Sequence, residues 1–147
     1  MPDASPNDLL ADLLILAHRS LLQYTTECFP WSDTDDEAEQ AAVTEMARAE
    51  EEVVARIADW LDRHGTIVDW GTYPDWTSLH FVSLEYLLKK LIADEEQLVA
   101  AVDRALPALK ADLEASALAQ DLSNLERHNL ARLRELASAR KTRAVVS

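Results

Sequence analysis

The residues able to carry chemistry are a few polar side chains set among apolar ones at helical spacing. His18 stands among Leu14, Leu21 and Leu22, and Glu45 beside Ala42 and Ala49. Glu126 and Asn129 stand among Leu122, Leu125, Leu130 and Leu133. Imidazole and carboxylate are metal ligands, and residues i and i+3 share a helix face, so one ion can be gripped twice by one helix. A two-metal carboxylate centre between helices takes a carboxylate from each of two helices and a Glu-x-x-His pair from each of the other two. Other candidates are weaker. His128 shares a face with Asp121 and Asn124 and reads as solvent-facing, and His64 beside Gly65 reads as a helix end. His80 and Glu85 are five apart, wrong for one helical face. Cys28 sits among apolar positions and reads as a buried, inert thiol. No Ser-His-Asp arrangement has supporting spacing.

The elements that must position these groups are helices. The chain has 147 residues, 48% of them hydrophobic, and only two glycines. That length suits one domain, 1–147, with a core large enough to need neither disulfide nor metal for folding. Two glycines are too few for a β-sandwich, a P-loop or a dinucleotide fold, which leaves an all-α class. Periodicity and capping residues predict four helices, about 6–29, 35–64, 77–105 and 110–140, with a crossover over 65–76. Ser5-Pro6 opens the first, and Pro30 ends it. Thr34-Asp35-Asp36-Glu37 opens the second, and Gly65 closes it. Asp75 or Thr77 opens the third, and Pro107 interrupts the pattern before the fourth. The short links make two antiparallel hairpins. The crossover is long enough for helices 2 and 3 to run parallel; simple up-down-up-down order is the alternative.

The net charge is −13. Residues 33–52 hold nine acids against Arg48 alone, whereas residues 127–147 hold six basic residues against Glu135. The acidic balance argues against a nucleic-acid partner, because phosphates would be repelled. A single cysteine, no signal-peptide pattern and no apolar run of membrane-spanning length point to a cytoplasmic protein without membrane attachment. Trp70, Tyr73 and Trp76 crowd the crossover. They would lie on the helices as a lid or, as aromatic anchors, form a subunit interface in a homo-oligomer.

Thr44-Glu45-Met46-Ala47-Arg48-Ala49-Glu50, running on to Gly65, resembles the second helix of bacterioferritins. Leu125-Glu126-Arg127-His128-Asn129-Leu130 is similar to their last ligand helix, and Gln23-Tyr24 matches a pair in their first. Leu91-Ile92-Ala93-Asp94-Glu95-Glu96 resembles the third helix of the related DNA-protecting proteins of starved cells. The likeness covers most of residues 9–137 and implies a ferritin-like four-helix bundle, two hairpins joined by a crossover, with a di-iron centre. On that resemblance the first-helix glutamate falls on His18, and the third-helix carboxylate falls near Leu91, with Asp94 and Glu95 one turn away. The two Glu-x-x-His pairs become Glu45-x-x-Arg48 and Glu126-x-x-Asn129, so both histidines are missing. A guanidinium is always protonated and has no lone pair for a metal. At a ligand position Arg48 would neutralise Glu45 or Glu52 in place of iron. The expectation is therefore a degenerate di-iron site: a buried polar cluster that includes Arg48, Glu52 and Asn129, in a non-catalytic oligomerising or protein-interaction module. The alternative is an iron-handling protein holding iron or another divalent metal on His18, Glu45 and Glu126.

Overall fold

The computed structural model describes residues 5–27, 37–79 and 82–146, and among them the chain is all-α. Helix α1 spans Pro6–His18, with the Ser5 hydroxyl accepting from the Asp8 N–H at 3.1 Å. The single helix expected over 6–29 is broken at Arg19–Ser20, and α2 runs Leu21–Glu27. The break has tertiary causes. The Leu21 N–H, released from the helical ladder, donates to Asp94 Oδ2 at 2.9 Å. The Ser20 hydroxyl accepts from the Gln23 N–H and donates to Glu50. Cys28, Pro30 and Thr34, Asp35 and Asp36 of the opening pattern lie outside the described residues, as does His80.

Helix α3 spans Glu37–Arg63. It ends in a paired-carbonyl cap, with Thr66 N–H on Leu61 O and Gly65 N–H on Asp62 O. That geometry needs a left-handed residue, and Gly65 supplies φ +79°. The third helix starts later than 77. Asp75 caps only a 3₁₀ turn, Thr77–Leu79, and α4 runs Leu84–Ala105 with Ser83 at its cap. After a second 3₁₀ turn at Leu106–Leu109, Asp112 accepts from the Ala115 N–H and α5 runs Leu113–Val146.

Side-chain pairs fix the directions. Glu45 meets Arg132, Arg56 meets Asp121 and Arg63 meets Glu114, so α5 runs opposite to α3. Asp103 pairs with Arg127 and Glu96 with Arg134, so α5 also runs opposite to α4. Hence α3 and α4 are parallel. The acidic start of α3 therefore lies along the basic end of α5. The crossover returns over α1 and α2, where Arg19 donates to the carbonyls of Trp70 and Gly71 at 3.0 and 3.2 Å. Gly71 (φ +68°) is needed there: a Cβ would stand 2.6 Å from Ile15 Cγ2.

Three helices present seams with the same alternating spacing of four and three residues. These are Val43, Ala47, Glu50, Val54, Ile57, Leu61 on α3 and Leu84, Leu88, Leu91, Glu95, Leu98, Val102 on α4. On α5 the seam is Ala115, Ala119, Leu122, Glu126, Asn129, Leu133. All eighteen positions are buried. The core divides in two. One apolar cluster gathers Leu10, Leu14, Ile57, Trp60, Leu109 and Leu122; the other gathers Leu22, Met46, Leu87, Leu88, Leu91 and Leu133. The seam glutamates fall between them.

Candidate metal centre

Each seam carries one glutamate, and the three converge. Glu50, Glu95 and Glu126 each offer an oxygen within 4.8 Å of the others, and all three residues are 0% exposed. Glu50 Oε1 accepts from Ser20 Oγ at 2.6 Å and from Gln23 Nε2 at 2.9 Å, while Gln23 also donates to the Ala47 carbonyl at 2.7 Å. The other five carboxylate oxygens are buried and receive no hydrogen bond from outside the cluster; hydrogen bonds of Glu126 with Glu50 and Glu95 require a shared proton. One turn beyond Glu126 on the same face, Asn129 is buried, with its Nδ2 lacking an acceptor.

Three carboxylates this close cannot all hold their charge in a dry interior. Loss of hydration is the largest cause in each case. It pushes Glu50 up to about 7 despite hydrogen bonding from Glu126, Ser20 and Gln23. It pushes Glu95 up to about 8, with the charges of Glu50 and Asp94 adding to the shift. Glu126 rises well above the ordinary carboxylate range, through burial and then the charge of Glu50. Burial also raises Asp94, although the Leu21 N–H opposes it. Among the described residues, no guanidinium or ammonium is among the groups acting on the three glutamates. The cluster is neutralised by protons or by a cation, and its three carboxylates are of a type and spacing that could hold a metal ion.

The expected ligand set is corrected. Glu126 lies in the cluster, but His18 and Glu45 do not join it. The inward face of α3 centres on Glu50 rather than on Ala49. At about 100° per residue, Glu45, Arg48 and Glu52 lie roughly 140–160° round the helix from Glu50. All three are exposed; the Glu45 side chain keeps 70% of its surface and meets Arg132 at 3.6 Å. Arg48 and Glu52 therefore do not belong to a buried cluster, and Arg48 is not the counter-charge. Asn129 is in the buried layer. His18 is half-buried at the rim, its Nδ1 2.7 Å from Glu51 Oε1 and its ring 4.9 Å from Trp70. Tyr73 and Trp76 pack edge-on against Tyr24 at 5.2 and 5.5 Å, and Arg19 lies over Tyr73, whereas Trp70 stays 42% exposed.

Glu50 went unread because Glu50-Glu51-Glu52 offers three registers of similar charge. The signal that finds it is the spacing of Val43, Ala47, Val54, Ile57 and Leu61, which puts Glu50 alone of the three on the seam. The same template on α4 selects Glu95 over Asp94 and Glu96. No family model, curated protein or solved structure compared with the chain matches it. Among the described residues, no helix is long and apolar enough to cross a membrane.

Proposed function

We propose that this chain is a divalent-cation-binding protein built as a ferritin-like four-helix bundle. In this reading α1–α2 and α3 form one hairpin and α4 and α5 the other. The parallel course of α3 and α4 and the crossover laid along α1 support that connectivity, as does the resemblance to bacterioferritins. The di-iron centre is degenerate: no histidine accompanies Glu126 one turn on, where Asn129 stands. A centre so reduced serves to bind a cation rather than to oxidise iron, in a cytoplasmic setting. The observation that carries the reading is the convergence of three buried glutamates from three helices, with five oxygens that no residue outside the cluster satisfies. A solvated acidic patch costs nothing to keep, but buried carboxylates are expensive without compensation.

Equilibrium dialysis of metal-stripped protein against Mg²⁺, Ca²⁺, Mn²⁺, Fe²⁺ and Zn²⁺ tests it. About one tightly held cation per chain is expected, lost at least tenfold in affinity in Glu126→Gln. Protein that binds none of the five at millimolar concentration overturns the reading.

A second reading, the oligomerising module, is supported by the crossover surface. Ile67 is 96% exposed, Trp70 42% and Leu16 46%. Apolar groups of this size favour an interface. Light scattering checks it: a strict monomer at tens of micromolar refutes it, and Trp70→Ala should loosen any oligomer present.

A further inference from the structure

Resting on the cation-binding reading above, we infer that the centre selects a hard, oxygen-preferring cation such as Ca²⁺ or Mn²⁺ over Zn²⁺.

The donor set is the first argument. Glu50, Glu95 and Glu126 offer only oxygen, and among the described residues no histidine or cysteine joins their cluster. Imidazole and thiolate draw zinc, whereas carboxylate and carbonyl oxygen suit calcium, magnesium and manganese. Asn129 supplies an independent observation. Its buried Nδ2 has no acceptor, on the same face as Glu126 and one turn away. Turning the amide over exchanges this unpartnered N–H₂ for a carbonyl oxygen, a further oxygen donor in the same buried layer.

Coordination number points the same way. Calcium takes six to eight oxygens, and three carboxylates offer up to six. Zinc sites are four-coordinate and leave some of these buried oxygens unsatisfied.

Competition read by electron paramagnetic resonance tests the inference. Mn²⁺ is bound to metal-stripped protein, then displaced with Ca²⁺ or Zn²⁺; the Glu50→Gln/Glu95→Gln/Glu126→Gln variant is run alongside to subtract surface sites. Ca²⁺ should displace Mn²⁺ at a lower concentration than Zn²⁺ does, by tenfold or more. Asn129→His, which adds a nitrogen donor one turn from Glu126, should move the preference toward Zn²⁺ by at least tenfold. Zn²⁺ displacing Mn²⁺ as well as Ca²⁺ does, or an unchanged preference in folded Asn129→His, overturns the inference and leaves the cation-binding reading standing. Wild-type protein that binds no Mn²⁺, Ca²⁺ or Zn²⁺ removes the reading itself.

Discussion

The two apolar clusters and the polar layer between them are built on the same seams with the same spacing, and opposite rules govern them. In the clusters, each side chain stabilises by leaving water, and neighbours such as Leu10, Ile57 and Leu122 fill the space at 0% exposure. In the layer, leaving water is a cost. Glu50, Glu95 and Glu126 keep apolar-like burial but lose the hydration of their carboxyls. The seam pattern is indifferent to which residue occupies it; the free energy is not. A chain optimised for stability alone would carry leucine at all three positions, so the layer is where this molecule gives up stability.

That contrast can be broken by substitution. Truncation within a cluster should have the largest effect: Ile57→Ala should cost about 2–5 kcal/mol in urea unfolding, with or without added cation. Glu95→Gln should have the opposite sign in metal-free protein. Its amide can donate to Glu126 and carries no charge, so a gain of roughly 1–4 kcal/mol at pH 8 is expected, together with loss of cation binding. A loss of stability there would mean that the layer is structural.

The pH dependence separates the two regions further. The three glutamates have folded values raised above the ordinary 4.5, so the folded chain holds protons that the unfolded chain releases. Metal-free stability is therefore greatest below about pH 4.5 as far as these groups are concerned. It falls as pH rises through about 7 to 8. Urea midpoints at pH 5, 6.5 and 8 should decline in the wild type and flatten in the triple Gln variant. Bound cation should reverse the trend, because deprotonated ligands bind it better. The smallest effect belongs to the outer face of α3. Arg48→Ala, on an exposed side chain, should stay within about 0.5 kcal/mol and leave cation binding unchanged. A large effect would restore Arg48 as the counter-charge.

Much of the fold was legible because it rests on local signals: Ser5-Pro6 and Gly65 mark helix ends through backbone geometry that the sequence itself dictates. The break at Ser20 was not, since its partners, Asp94 and Glu50, come from other helices. The late start of α4 escaped for a related reason: Asp75 and Ser83 are both capping residues, and only packing decides which opens a long helix. In the site, Glu126 was legible because it stands alone among leucines. Glu45 was mistaken for a ligand because the alanines beside it fit either face of α3. Alanine discriminates poorly between core and surface; Val43, Val54 and Leu61 do so better.

The crossover has a kinetic consequence. The α1–α3 and α4–α5 pairs are each local in sequence, so each can form early at small loop-closure cost. Bringing one pair onto the other is the late, non-local event, with the crossover over 64–79 laid over α1 and α2. Glu50 arrives with the first pair, Glu95 and Glu126 with the second. Neither pair alone owns all three carboxylates, so the cluster exists only after docking. A cation should therefore leave the folding rate almost untouched and slow unfolding, acting as a latch set last and released first.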